Sequence, residues 1–311
     1  MNNKQNQWPW RVMGEKVIGA THSRSGNPCQ DAILWKVLPE QRGIVLAVAD
    51  GHGSSSSPYS DEGAALAVQV AVALLEKLTQ ESGDNLSLLK QMAEAQLPRM
   101  MVRGWAEEVL ARHREKRIKD PDAESLPLLP GFSVVPAPEV AADFPEELTD
   151  AEQGRILLKY GSTLLAVLAT ARFFILFQLG DGDILVVESD GSVSRPLTRR
   201  TGLAANETLS LCTKSSWKDV QFLFQPLHGE EPPLLLVATD GYSNSFASEE
   251  GFFRVGSDYL ALLKRDGPDE VALKLKEWLA ETSESGSGDD IALGMVFRGD
   301  GCSATGLGGG D

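Results

Sequence analysis

Short apolar runs bounded by Gly, Asn, Asp or Pro recur along most of the chain, and this is the pattern of strands rather than of long amphipathic helices. Runs at 15–20 (EKVIGA), 32–38 (AILWKVL) and 44–49 (IVLAVA) predict an opening block of β-structure. Further strands are predicted at 162–169, 173–179, 184–187, 219–224, 234–239 and 291–297. Asp-Gly turns between 173–179 and 184–187, and again at Asp190-Gly191, predict an antiparallel meander. Helical stretches interrupt the strands. From Ser60 to about Thr79 the chain is rich in Ala, Leu and Val without a breaker after Gly63, which predicts a mostly buried helix lying on a sheet. A second helix is expected from Leu86 to Lys119. A third follows Pro268, where Val271, Leu275, Trp278 and Leu279 form a stripe at i, i+4, i+7 and i+8.

Composition narrows the class. With 311 residues, 42% of them hydrophobic, the chain can build a substantial core, and one large domain is the starting expectation. The balance of 29 Lys plus Arg against 44 Asp plus Glu gives −15, a field that repels phosphate backbones and anionic lipid, so neither nucleic acid nor membrane is an expected partner. Three cysteines without metal-ligand spacing, and no leader-like or membrane-spanning apolar segment, point to a reducing, cytoplasmic setting. The basic residues between Arg99 and Lys119 read as a solvated helix face, with a phosphate-attracting patch as the alternative. Residues 120–150 hold six of the sixteen prolines and eight acidic side chains but no basic one, which marks an insertion or loop. The expected division is an N-terminal extension over 1–14, one domain over 15–298 containing that insertion, and a Gly-rich tail over 299–311.

Candidate chemistry lies where apolar runs stop. Three of them end in the same way, at Asp50-Gly51, at Gly180-Asp181-Gly182 and at Asp240-Gly241, each delivering a carboxylate beside a glycine. A further pair, Asp289-Asp290, precedes the last predicted strand, and in an antiparallel sheet the start of one strand lies beside the end of its neighbour. Carboxylates gathered at one rim repel each other, and a hard divalent cation bound through oxygen relieves this, so Mg²⁺ or Mn²⁺ is expected. The competing reading is ordinary Asp-Gly turn chemistry, accepted here for Asp190-Gly191. His52, two residues after Asp50, is placed to give or take a proton near neutral pH.

Taken in order, Asn27-Pro28-Cys29-Gln30-Asp31, Asp50-Gly51-His52-Gly53, Gly161-Ser162-Thr163 with Gly180-Asp181-Gly182, Thr239-Asp240-Gly241 and Gly288-Asp289-Asp290-Ile291 resemble the motif series of the metal-dependent type-2C protein serine/threonine phosphatases, in a bacterial-like branch. The resemblance runs from about Gly19 to Phe297. It implies an α+β fold, a four-layer α-β-β-α sandwich of two central antiparallel sheets flanked by helices. It also implies hydrolysis of phosphoserine or phosphothreonine in protein substrates, in opposition to a Ser/Thr protein kinase. Two Mn²⁺ or Mg²⁺ ions would share Asp50 and a bridging hydroxide that attacks phosphorus directly. By the same carry-over the Gly51 carbonyl would touch one ion, Asp240 and Asp289 would hold the other, Asp31 would hold metal-bound waters, and Asp181 would help bind a weaker third ion. His52 would protonate the departing oxygen.

The chain departs from this pattern in three places that matter. Gln30 stands where Glu is frequent, Gly26 where a phosphate-gripping Arg is usual, and Asn244 where a further metal-binding Asp often occurs. Arg24, close in sequence, and Arg199 or Arg200, reaching from a flap, are candidate substitutes for the missing grip, with exposed arginine of no special role as the reading preferred for each. Residues 199–218 match the variable flap of such proteins. The departures motivate a second expectation, a catalytically weak phosphoprotein-binding module, and a third is a Ca²⁺-stabilised scaffold.

Overall fold

The computed structural model describes residues 10–82, 85–119, 148–198, 209–227 and 234–298. Among these, two five-stranded sheets are wholly antiparallel. In one, the order is β1 (Trp10–Val17), β10 (Ile291–Arg298), β9 (Leu234–Ala238), β6 (Asp183–Val187) and β7 (Val193–Ser194). In the other it is β2 (Ala32–Val37), β3 (Ile44–Ala49), β4 (Leu164–Ala169), β5 (Phe173–Leu179) and β8 (Gln221–Pro226). Helices α2 (Ser60–Ser82) and α3 (Leu86–Lys119) cover the second sheet, while α6 (Glu249–Arg265) and α7 (Pro268–Ser285) cover the first. Short helices α1 (Ala20–Ser25), α4 (Asp150–Leu158) and α5 (Asp240–Ser243) sit in connections. The four-layer α-β-β-α sandwich is the architecture expected above.

Strand periodicity explains why the apolar runs are continuous. Along β3, Ile44, Leu46 and Val48 enter the layer between the sheets, whereas Val45, Ala47 and Ala49 pack under α2 and α3. The same split divides Leu165 and Val167 from Leu164, Ala166 and Leu168 on β4, and Leu235 and Val237 from Leu234, Leu236 and Ala238 on β9. A strand with helices on one face and a second sheet on the other has no solvent side, so polar alternation is absent.

Several boundaries and connections differ from expectation. β1 begins at Trp10, inside the stretch read as an extension, because it pairs along its length with β10 from Trp10↔Arg298 to Val17↔Ile291. The predicted meander is broken: β4 pairs with β5, but β6 belongs to the opposite sheet, so Gly180-Asp181-Gly182 is a crossing between sheets rather than a hairpin turn. The Asp190-Gly191 turn does join paired strands, β6 and β7. Helix α6 was not predicted, although Phe252, Val255, Gly256, Tyr259 and Leu260 recur at helical spacing on its buried side and Ser248 caps it by accepting from the Gly251 amide. Several basic residues of α3 have local partners. Arg103 pairs with Glu107, Arg112 lies near Glu62 and Glu115, Lys116 pairs with Glu62 and stands over the Tyr59 ring, and Arg99 stacks over Trp217 at 4.0 Å. This fits the solvated-face reading. Most of the 120–150 segment, Arg199, Arg200 and the 299–311 tail lie outside the described residues. Among the described residues no helix is long and apolar enough to cross a membrane.

Helix α2 docks through Gly63. The Trp105 indole donates to the Gly63 carbonyl at 2.9 Å, and a Cβ at Gly63 would overlap the Tyr160 carbonyl oxygen. Within a helix, Gly→Ala ordinarily stabilises by about 0.5–1 kcal/mol. Here the sign should reverse: Gly63→Ala is expected to destabilise by about 1–3 kcal/mol, the range typical of overpacking. Urea unfolding of the two proteins measures this, and a more stable variant would refute the close approach.

Candidate metal centre

Three strand ends and one strand start meet along the same rim of the sandwich. After β3 the backbone is pinned on both sides: the Asp50 amide donates to Thr163 Oγ1 at 2.9 Å, the Thr163 amide donates to the Asp50 carbonyl at 2.8 Å, and the His52 amide donates to the Gly161 carbonyl at 3.1 Å. Gly51 forms a bridge with Ser162 and donates its amide to the Gln30 carbonyl at 3.2 Å. At the crossing after β5, the buried Gln178 amide nitrogen donates to the Gly182 carbonyl at 2.8 Å, which holds the loop carrying Asp181. After β9, Asp240 opens α5, and the next residue must be glycine because a Cβ at Gly241 would overlap the Asp290 carbonyl oxygen.

These constraints bring carboxylate oxygens of Asp50, Asp181 and Asp240 within 4.8 Å of one another. Asp31 is 2% exposed, and Thr239 Oγ1 donates to its Oδ2 at 2.6 Å. Burial pushes the Asp31 carboxyl well above the usual carboxylate range against that hydrogen bond, and Asp290, Asp240 and Asp289 push it the same way. Asp50 is raised likewise, by burial and then by Asp31, Asp240, Asp181 and Asp289. Asp289 itself is exposed and accepts from the Asp290 amide at 2.9 Å. The donor set is therefore all oxygen, with neighbouring carboxylates raising the proton affinity of Asp31 and Asp50, which is the environment a hard divalent cation fits. Asn244 lies beside it, and its amide donates to Asp240 Oδ2 at 2.9 Å. That is what the side chain does at the position where the resemblance led one to expect another aspartate.

The His52 imidazole is half-buried. Burial lowers its pKa below the ordinary histidine value, with Asp181 opposing the shift. Gln30 Oε1 is buried without a hydrogen-bond partner, next to Gly53. Arg24 is exposed and its Nε donates back to the Ala20 carbonyl of its own helix. A cavity of about 950 Å³ adjoins Asn244 and is lined by Arg195, Glu249, Phe246, Phe252 and Phe253 among others. The sequence did not single out Thr163, Thr239 and His22, while Asp290, expected at the rim with Asp289, is 3% exposed and bonded to Gly19, His22 and Gln30. Thr163 and Thr239 stood inside the quoted motifs, and only the tertiary contacts show that their hydroxyls serve Asp50 and Asp31.

Residues 18–280 match the family model described as Protein phosphatase 2C. Serine/threonine-protein phosphatase 3 of Escherichia coli (strain K12) is 26% identical over 202 residues, which is 64% of this chain and 61% of the relative's length. Among solved structures, serine/threonine phosphatase Stp1 from Staphylococcus aureus superposes with a TM-score of 0.55 at 14% identity, over 94% of this chain and 95% of that one. The catalytic domain of serine threonine protein phosphatase PstP in complex with 2 manganese ions gives 0.51 at 17% identity, over 94% and 99%. At such identities the superpositions establish the shared fold.

The repelled carboxylates make a prediction about the metal-free protein. A raised carboxyl pKa means that the folded state holds protons that the unfolded chain releases, so stability is lost as pH climbs from the ordinary carboxylate range, about pH 4, through the raised values. Asp50→Asn removes one repelled charge and should raise the melting temperature in EDTA at pH 7 by a few degrees, the shift that about 1 kcal/mol produces in a chain of this size. It should also abolish the rise that Mn²⁺ gives to the wild type. Thermal melts with and without Mn²⁺ decide both points.

Proposed function

The chain belongs to the protein phosphatase 2C family, and on that premise we propose that it is a metal-dependent phosphatase that hydrolyses phosphoserine and phosphothreonine in proteins. The observation that carries the reading is the triad of Asp50, Asp181 and Asp240 carboxylates within 4.8 Å, in a chain that matches this family from residue 18 to 280. Asp50 is central because charges from four other aspartates act on it. Asp50 would bridge two ions with the Gly51 carbonyl on one of them, Asp240 and Asp289 would hold the other, and Asp31 would orient coordinated water. Asp181 would serve a third, weaker ion. When bound, Mn²⁺ or Mg²⁺ supplies an acidified water as nucleophile and neutralises the charge that builds on the phosphoryl oxygens.

The protein's own contribution is placement and proton transfer. Thr163 and Gln30 fix the backbone on either side of Asp50, and Thr239 fixes the Asp31 carboxylate, so the acidic groups need little reorganisation when charge develops. Asn244 holds one oxygen of Asp240 through its amide. His52 would donate a proton to the serine or threonine oxygen as it departs. Burial destabilises the charged imidazolium, which makes it a stronger donor and lowers its population at neutral pH, while Asp181 offsets part of that loss. No phosphate-gripping arginine is assigned at position 26, so substrate affinity would rest on the ions and on contacts along the adjoining cavity.

Phosphate release from a phosphothreonine peptide, with Mn²⁺ titrated in, tests the reading. Turnover should require the metal, and Asp240→Asn should abolish it. A folded protein that binds Mn²⁺ and retains a phosphopeptide without releasing phosphate would instead favour a phosphoprotein-binding module. His52→Ala should slow peptide hydrolysis by about 10²–10⁴-fold, the usual worth of a general acid, and affect p-nitrophenyl phosphate far less, because p-nitrophenolate leaves without a proton. Equal losses on both substrates would remove His52 from the acid role.

A further inference from the structure

Helix α1 contributes no residue to the hydrophobic core, yet the loop containing it leads directly to Asp31. Polar contacts to one turn hold it there. The Thr21 amide donates to the Gly288 carbonyl at 2.9 Å, and the Ala20 amide donates to Ser283 Oγ at 3.2 Å. The dominant contact is Asp290, a carboxylate only 3% exposed. Its Oδ1 accepts from the Gly19 amide at 2.6 Å, and its Oδ2 accepts from the Gln30 amide at 2.6 Å and from His22 Nδ1–H at 2.9 Å. One carboxylate thus closes the loop at both ends, at Gly19 and at Gln30, and is braced from within by the imidazole.

The same residue touches, directly or through Gln30, the segments that carry Asp31, Asp50, Asp240 and Asp289. Gln30 precedes Asp31, and its carbonyl accepts the Gly51 amide next to Asp50. The Asp290 amide donates to Asp289 Oδ1. The Asp290 carbonyl lies against Gly241, which follows Asp240 and has no room for a side chain there. We infer that the His22–Asp290 pair is a positioning device that sets the spacing of Asp31, Asp50, Asp240 and Asp289 and thereby tunes the affinity of the centre for its divalent cations. The inference rests on the proposed reading of the carboxylate cluster as a metal centre. Outer groups that orient metal ligands typically contribute 10–100-fold to metal affinity. Of the three donors to Asp290, His22 is the only side chain, so it is the one that substitution can remove.

The test is calorimetric titration of the metal-free protein with Mn²⁺, which reads binding without turnover. His22→Ala should raise the Mn²⁺ dissociation constant tenfold or more, while His22→Asn, whose amide can still donate to Asp290, should recover most of the affinity. Asp290→Asn keeps the side-chain volume but places an NH₂ group against backbone donors, and it should weaken Mn²⁺ binding by at least as much. If His22→Ala proves too unstable to titrate, the Asn variants at the two positions decide the question. Wild-type affinity in His22→Ala or in Asp290→Asn overturns the inference, and so does a loss at His22→Ala that His22→Asn leaves unrepaired, which would make ring volume the operative property. Wild-type protein that binds Mn²⁺ and releases phosphate while His22→Ala and Asp290→Asn match it removes only this pair's role. Wild-type protein that does neither removes the phosphatase reading and the pair's role together.

Discussion

Like charges held close inside a protein are the constraint around which the rest of this structure is arranged. Asp31, Asp50, Asp181 and Asp240 crowd one rim, and burial is the largest cause that raises the carboxyl pKa of Asp31 and of Asp50. Such a cluster collapses or swings outward unless the backbone beneath it is over-determined. The framework here meets that demand with strands that have no solvent face, whose ends are fixed by core packing on both sides. Sheets, helices and hydrogen-bonded loops together hold a geometry that the carboxylates by themselves disfavour.

The fixings are unevenly distributed. Asp240 and Asp289 flank the paired strands β9 and β10, where the sheet register does most of the positioning. Asp50 leaves a central strand but depends on Thr163 and Gln30 for the path of the next two residues. Asp31 is different, since helix α1 in the loop before it buries no side chain and the loop is tied to Asp290, Gly288 and Ser283 by hydrogen bonds. Polar attachment in a low-dielectric setting is directional, so it orients a ligand more finely than apolar packing would. The metal-facing side of the molecule therefore combines rigid strand ends with one loop set by hydrogen bonds.

Much of the architecture was legible beforehand because both faces of the central strands are buried, which turns them into unbroken apolar runs. β3 and β5 lie where those runs lie, and the stripe Val271, Leu275, Leu279 does face a sheet. The same property hid the sheet assignment of β6. An apolar run next to a Gly-Asp-Gly turn reads as the return arm of a hairpin, and nothing in the local pattern distinguishes that from a crossing to the other sheet. Helix α6 was legible in principle from its period, and β1 extended further upstream because pairing with β10 outweighs the weak apolar signal of Trp10–Gly14.

For the candidate site, the residue types and their order along the chain were enough to select the aspartates and His52, since hard-cation chemistry needs clustered carboxylates and each stands at the end of an apolar run beside a glycine. Which of them meet, and how closely, is a property of three dimensions: Asp50, Asp181 and Asp240 stand far apart along the chain and within 4.8 Å of one another at their oxygens. The division of labour between Asp289 and Asp290 was also beyond the sequence. Adjacent residues at the start of a strand point in different directions, so one faces the rim and the other turns inward to bind Gly19, His22 and Gln30. Composition and spacing determined the chemistry available to this chain, and the packing of two sheets determined which groups share it, because side-chain direction and long-range pairing exist only once the strands are in register.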